Sequence, residues 1–178
     1  MPSTRPCPTP QSEGLLRTFI ALQPQKPQRD ELALLAKTLC QDSRARPVRP
    51  ENIHLTLAFI GDLELSRALS LKDALVRTEF EPIPAWALTH LGSFGSILWC
   101  AGDDLQQISQ AAISVRDLLR ALNISHDQKR FAAHITLARN FRAPVPTRQI
   151  RLPELVLSAP RLLVSERDKA GVLRYRCL

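Results

Sequence analysis

The sequence predicts an α+β fold with mainly antiparallel sheets. Its 178 residues, 44% hydrophobic and 23% charged, are typical of one globular domain with a sizeable core. Strand-like and helix-like segments are mixed without the regular strand–helix–strand rhythm of a parallel sheet. Two strand-like segments around the Gly92 and Gly95 turn predict a hairpin, which is an antiparallel unit. These observations favour antiparallel strands with helices packed against them.

Apolar periodicity and turn residues predict the elements in order. Residues 1–13 contain four prolines and almost no large apolar side chains, so we expect a disordered tail before a single domain over 14–178. Asp103 or Asp104 is expected to cap the longest helix, which ends near Asn123, and Ser66 to cap an earlier one. Strands are predicted at 15–22, 53–60, 83–92, 96–101, 134–139, 155–165 and 172–177, and the other two helices at 28–41 and 66–79, with Gly61 ending the second strand.

Composition narrows the classes of function. The formal charge is +7 and 19 residues are arginine, which favours an anionic partner, although coding bias and solubility explain such a composition equally well. No stretch approaches the roughly 20 apolar residues of a membrane-spanning helix, and a signal sequence is absent, so we expect a cytoplasmic protein. Four cysteines without CxxC spacing, at 7, 40, 100 and 177, predict reduced thiols.

The most informative feature is a repeated pentapeptide. Residues 54–58 (HLTLA) recur 80 positions later at 134–138 (HITLA). Because side chains in a strand alternate between its faces, the histidine and threonine of each copy share one face, and the leucine or isoleucine between them points to the core. Two such strands side by side would present two imidazoles and two hydroxyls to one ligand. Imidazole exchanges protons near neutral pH and a hydroxyl binds phosphate oxygens, so the pair indicates phosphoryl chemistry.

Two other interpretations of the repeat were weighed. A single His-x-Thr segment is more often an ordinary half-exposed strand, but its duplication with the same residue types favours a functional pair. Paired histidines also bind zinc, yet a catalytic zinc needs a third protein ligand, and neither copy has a Cys, Asp or His at a suitable offset. Neither a P-loop nor a GxGxxG fingerprint is present. We therefore expect no metal and no cofactor.

The chain resembles the two-histidine (2H) phosphoesterase superfamily, specifically the bacterial RNA 2′,3′-cyclic phosphodiesterases historically called 2′-5′ RNA ligases. Beyond the two His-x-Thr motifs, the resemblance rests on the segments at 17–22, 50–57, 59–61 and 165–175, and it extends from about Leu15 to the C-terminus. It implies a bilobal, pseudo-symmetric fold. Two mainly antiparallel sheets would face a central groove, with helices on the outside and one His-x-Thr strand from each lobe in the groove.

The resemblance also implies the activity of an RNA-processing hydrolase, which opens RNA 2′,3′-cyclic phosphate ends to a 2′-phosphate without a metal. His54 and His134 would be catalytic, and Thr56, Thr136 and Arg139 would bind the phosphate. Arg139 matches the arginine that the family has five residues after the second histidine. Strict alternation would put it on the face opposite His134, so this role requires a twist or a bulge in the strand.

Further expectations concern the residues around the motifs. We expect His134 to activate water and His54 to protonate the departing 3′-oxygen. Phe19 and Phe59 are both candidates for stacking on a terminal base or for packing in the core; alternation favours the core for Phe59 and leaves both interpretations open for Phe19. The family usually has proline before the second histidine, and Ala133 stands there instead, so we expect altered positioning with the chemistry retained.

The expected partners are RNA ends or cyclic nucleotides, bound by a monomer that contacts neither membrane nor metal. Arg44, Arg46 and Arg49 would steer RNA phosphates towards the groove or lie in a solvated loop, two interpretations with equal support. Two other functions stay open. One is a 2′-5′ RNA ligase that runs the reverse reaction with the same residues, and the other is an RNA-binding module without catalysis.

Overall fold

The computed structural model describes residues 14–41, 43–146 and 152–178 of the chain, so the predicted tail at 1–13 lies outside the described residues. The described part contains three helices and nine strands, with a single 3₁₀ turn at Pro50–Asn52. In chain order they are β1 (Leu15–Leu22), α1 (Lys26–Leu39), β2 (Arg46–Pro47), β3 (Leu55–Glu64), α2 (Leu65–Arg77), β4 (Trp86–Phe94), β5 (Ile97–Gly102), α3 (Gln106–Ala121), β6 (Ile135–Arg139), β7 (Glu154–Leu155), β8 (Arg161–Arg167) and β9 (Leu173–Cys177).

The sheet is built from two similar halves that meet at the repeated motif. The strands follow the order β7-β4-β5-β6-β3-β1-β8-β9, with β2 beside β6, and all pairings are antiparallel. The two central strands, β3 and β6, are joined by one residue pair, Leu55 with Ile135, which occupy the same place in the two copies of the repeat. The predicted α+β fold with mainly antiparallel strands is confirmed, whereas the two sheets expected to face a groove are joined edge to edge by this pair into one sheet.

The two faces of the sheet have different surroundings. One face packs against the three helices in the main hydrophobic core, which receives Leu55, Leu57, Ile135 and Leu137 from the repeats. These four side chains are at most 1% exposed. The other face carries a small cluster of Phe19, Ala21 and Leu163, with Tyr175 packed against it. Because only one face is covered by helices, the polar residues that alternate with these leucines lie on the open face.

The helix starts differ from those predicted because the expected caps were wrong. Helix α1 starts before Pro27, which occupies the first turn, where a missing N–H costs no hydrogen bond. Helix α2 is capped by Glu64, and not by Ser66. Helix α3 is capped by Leu105, and not by Asp103 or Asp104.

Two strand boundaries were also wrong, while the predicted hairpin is confirmed. Strand β3 continues through Gly61, which adopts a φ of 88° that only glycine accepts readily, so the glycine bends the strand without ending it. The strand expected at 155–165 is split before Pro160, because proline cannot donate to the ladder. Strands β4 and β5 pair as a hairpin around Gly95, whose φ is 57°.

Candidate active site

The two histidines of the repeat lie on the open face of the sheet, where β3 and β6 meet. Leu55 and Ile135 form the single pair between these strands and are both fully buried against the helices. The residues that flank each of them therefore point to the opposite face. In an antiparallel register, His54 on one strand lies across from Thr136 on the other. Both side chains line the same cleft, of about 170 Å³.

Each histidine ring is held in the same way by the backbone of its own segment. The Nδ1 of His54 lies 2.7 Å from the carbonyl oxygen of Asn52, and the Nδ1 of His134 lies 2.8 Å from that of Ala132. A carbonyl can only accept, so Nδ1 carries the proton and donates it in both rings. The Nε2 atoms are therefore the ones left for chemistry. The Nε2 of His54 is 3.0 Å from the hydroxyl of Thr56.

A β-bulge in each repeat changes which residues reach the groove. Residue Thr136 pairs with Trp99 and Ala138 pairs with Leu98, so Leu137 is an extra residue without a partner in β5. In the same way, Leu57 is the extra residue of β3 relative to β1. Both repeats consequently show the same burial pattern, in which the leucine and the following alanine are both buried and the next residue is exposed.

The bulge places Arg139 on the groove face, as its expected role requires. Without the extra residue, Arg139 would point to the helical face with Leu137. Instead Arg139 lines the same cleft as His54 and Thr136, and its charge acts on His54. The geometry thus brings together the two histidines, the two threonines and the arginine that were expected at the site.

The equivalent bulge in the first repeat exposes Phe59, and the prediction that Phe59 lies in the core is wrong. Phe59 holds the position in the first copy that Arg139 holds in the second, 80 residues later. Strict alternation had placed it with Leu55 and Leu57, but the extra residue at Leu57 moves it to the other face. Its side chain is 54% exposed. One half of the groove therefore presents an aromatic ring where the other half presents a cation.

Burial and nearby positive charges hold His54 in its neutral form. The pKa of His54 is lowered from 6.5 to about 4, chiefly by removal from solvent and in smaller part by the charges of Arg139 and His134, while the hydrogen bond to Asn52 opposes the shift. The influence of His134 on this pKa shows that the two imidazoles share one electrostatic environment. At neutral pH, His54 is therefore a proton acceptor.

Aromatic rings support both histidines from the sides. His54 packs against Phe19, at 4.9 Å between ring centroids, and against Tyr175, at 5.2 Å, and these two rings also contact each other. His134 is contacted edge-to-face by Phe94 at 5.2 Å and lies 6.4 Å from Trp99. Phe19 is only 3% exposed, so its surface is taken up by His54 and its other neighbours. Its contacts position the imidazole.

Asn52 is a site residue that sequence reasoning missed. Its side chain is buried, donates a hydrogen bond to the carbonyl of Leu173 at 2.9 Å and accepts one from the N–H of Tyr175 at 2.9 Å. Its own carbonyl accepts the Nδ1–H of His54. Asn52 therefore ties His54 to β9, whose Tyr175 packs on the same ring. Because no periodicity links residues 52 and 175, this connection required the tertiary structure.

The described residues give no support for a metal centre. Within 14–41, 43–146 and 152–178, no three side chains among His, Cys, Asp and Glu are placed to hold a metal ion. Three of the four cysteines fall in this part, and Cys40, Cys100 and Cys177 are all free thiols. Burial raises the pKa of Cys100 to about 12, so it is not a nucleophile at neutral pH. No helix in the described part is long and apolar enough to cross a membrane.

Comparisons with known proteins find similar sequences. A family model described as LigT like Phosphoesterase matches residues 22–102, which include the first motif. An RNA 2′,3′-cyclic phosphodiesterase of Archaeoglobus fulgidus is 28% identical over 129 residues, which cover 70% of this chain and 72% of that protein. Another, from Geobacillus stearothermophilus, is 26% identical over 142 residues, which cover 74% of this chain and 45% of that protein.

A solved structure shares the fold. The crystal structure of E. coli LigT complexed with 3′-AMP superposes with a TM-score of 0.76 and 22% identity, and the match covers 92% of this chain and 95% of that one. The match to this structure shows a shared fold. The resemblance expected from the sequence is confirmed as a similarity: the chain is similar to the LigT-like phosphoesterases over residues 22–102 and to two proteins named RNA 2′,3′-cyclic phosphodiesterase. The prediction of an enzyme of this class is confirmed with it.

Proposed function

We propose that this protein hydrolyses RNA 2′,3′-cyclic phosphate ends to a 2′-phosphate and a free 3′-hydroxyl. The observation that carries the proposal is the matched pair of imidazoles, each anchored at Nδ1 by a backbone carbonyl two residues earlier and free to react at Nε2. The names of the relatives support the same reaction. The cyclic phosphate would lie between the two strands, with one imidazole on each side of phosphorus.

His54 is assigned the role of general base, the reverse of the role expected from the sequence. Its pKa of about 4 leaves the ring neutral at pH 7, so its Nε2 takes a proton from the attacking water. The water oxygen forms a bond to phosphorus while the bond from phosphorus to the 3′-oxygen breaks. His134, as an imidazolium, delivers its Nε2 proton to that oxygen. The next turnover follows once both rings have exchanged protons with solvent.

The remaining groove residues hold the phosphate. The hydroxyls of Thr56 and Thr136 donate hydrogen bonds to non-bridging oxygens, and the guanidinium of Arg139 supplies positive charge that becomes more favourable as the phosphorane forms. In the free protein the Thr56 hydroxyl is within hydrogen-bond distance of the Nε2 of His54. Substrate binding draws this hydroxyl to the phosphate and frees Nε2 for water.

Product analysis tests the reaction and separates its rivals. The purified protein is incubated with a short RNA that ends in a 2′,3′-cyclic phosphate, in the presence of EDTA, and the ends are identified by phosphorus NMR. We expect a 2′-phosphate at an undiminished rate, since the proposed chemistry uses only side chains. A joined strand would indicate a ligase, unchanged RNA a binding module, and loss of activity in EDTA a metal-dependent reaction.

Phe59 is proposed as the stacking surface for the terminal base, because it is an exposed ring on the groove face beside Phe19, which is itself buried. Stacking on an aromatic side chain is worth about 1–3 kcal/mol per base. Phe59→Ala should therefore raise KM by roughly 5- to 150-fold with a small change in kcat. Phe59→Trp should restore binding, and Phe94→Ala, which removes the exposed ring that contacts His134, shows whether the effect on KM is particular to Phe59. Equal KM values for Phe59→Ala and the parent would exclude the stacking role.

A further inference from the structure

A second depression adjoins the catalytic cleft and is rich in arginine. It has a volume of about 700 Å³ and is lined by Ser43, Arg44, Arg46, Asn140, Arg142 and Ala143. Arg46 also lines the catalytic cleft, where its strand neighbour across the β2–β6 ladder is Arg139. The depression and the cleft are therefore one continuous surface. We call Arg44, Arg46 and Arg142 the arginine patch.

The arginine patch is positively charged and its cations are available. All three of its arginines are exposed, and no acidic side chain among the described residues lines the depression or the cleft. Within the part of the chain that the structure describes, none of the three forms an ion pair. Arg174 provides a contrast, because its guanidinium is occupied by Glu51 and Asp168. Clustered cations without carboxylate partners favour a polyanionic ligand.

We propose that the arginine patch binds the phosphodiester backbone of the nucleotides that precede the cyclic phosphate, which makes an RNA strand, and not a cyclic mononucleotide, the preferred substrate. The inference rests on the proposed function. In the proposed mechanism, Thr56, Thr136 and Arg139 already bind a single phosphate in the cleft. The arginine patch lies outside the cleft and adjoins it through Arg46. A strand whose last phosphate lies in the cleft would place its earlier phosphates along the patch.

The test compares two substrates with the same terminal nucleoside, a 2′,3′-cyclic mononucleotide and an RNA of about five nucleotides with a 2′,3′-cyclic end. The variant Arg44→Gln/Arg142→Gln leaves the cleft intact. We expect its kcat/KM for the RNA to fall roughly tenfold at low salt, with the mononucleotide value unchanged. The slope of log KM for the RNA against log salt concentration should decrease by about 1.4, which is the contribution of two phosphate contacts to a single strand.

The control variant Lys72→Gln/Arg77→Gln removes the same charge from exposed positions of α2 and should leave both substrates unaffected. Equal losses for mononucleotide and RNA in the patch variant, or no loss for either, would overturn the proposal. If the parent protein hydrolyses neither substrate, the proposed function fails, and the patch is judged by fluorescence anisotropy with the same RNA ending in a 2′-phosphate. Unchanged affinity in the patch variant would then refute it.

Discussion

Replacement of either His54 or His134 by alanine is expected to lower kcat/KM for a 2′,3′-cyclic nucleotide by about 100- to 10,000-fold, since each imidazole acts as a positioned acid or base. The double variant should lose little more than the worse single variant, because both groups act in one step. His90→Ala is the matched control, as His90 is exposed on β4, separated from β6 by β5. Full activity in either catalytic variant would contradict the two-histidine mechanism.

A substrate with a better leaving group distinguishes the two imidazoles. If the bridging 3′-oxygen is replaced by sulfur, the departing thiolate no longer needs a proton. With this substrate, His134→Ala should have a kcat/KM close to that of the parent, because the acid is no longer needed. His54→Ala should still have a low kcat/KM, because the attacking water still needs a base. If the sulfur substrate instead raises kcat/KM for His54→Ala and not for His134→Ala, then His54 is the acid and His134 the base, as expected from the sequence.

The groove could be predicted from the sequence because its pattern is local and duplicated. Alternation along a strand puts the histidine and threonine of each motif on one face and the residue between them on the other. In the structure these intervening residues, Leu55 and Ile135, are fully buried. The two related halves were implied by the resemblance to the 2H phosphoesterases, and the sheet order has them on either side of the contact between β3 and β6.

The bulges could not be predicted in the same way, because a bulge is defined by the partner strand. Leu57 is an extra residue only relative to β1, and Leu137 only relative to β5. Alternation applied to β3 alone therefore placed Phe59 on the wrong face. Both copies do contain one signal of a bulge, which is an alanine directly after the second leucine. Two consecutive apolar residues can both be buried in the core where a strand bulges, and both are buried here.

The environment of His54 likewise depends on distant parts of the chain. Its low pKa arises from burial beneath Phe19 and Tyr175, which come from opposite ends of the sequence, and from the charge of Arg139. Nothing in the segment around His54 distinguishes it from His134, because the two pentapeptides are nearly identical. The proposed division of labour between base and acid therefore rests on the tertiary structure, and it is the reverse of the one expected from the sequence.

Arg139 connects the charge of the groove to the protonation of His54, and its replacement should therefore affect both rate and pH dependence. We expect Arg139→Gln to lower kcat/KM by about 100- to 1,000-fold, the usual cost of losing one group that stabilises developing negative charge. The same change removes a positive charge that adds to the effect of burial in lowering the pKa of His54 to about 4. The pKa of His54 should therefore rise, and the acidic limb of the rate profile should move to higher pH.

Profiles of kcat/KM against pH, together with NMR titration of the His54 ring, measure the two effects separately. Arg139→Lys keeps the charge but loses the paired N–H donors of the guanidinium, so its acidic limb should stay close to that of the parent while its rate remains reduced. Arg77→Gln, on α2, should change neither quantity. An acidic limb that is unmoved in Arg139→Gln would show that the arginine acts on the phosphate alone, and that burial by itself keeps His54 neutral.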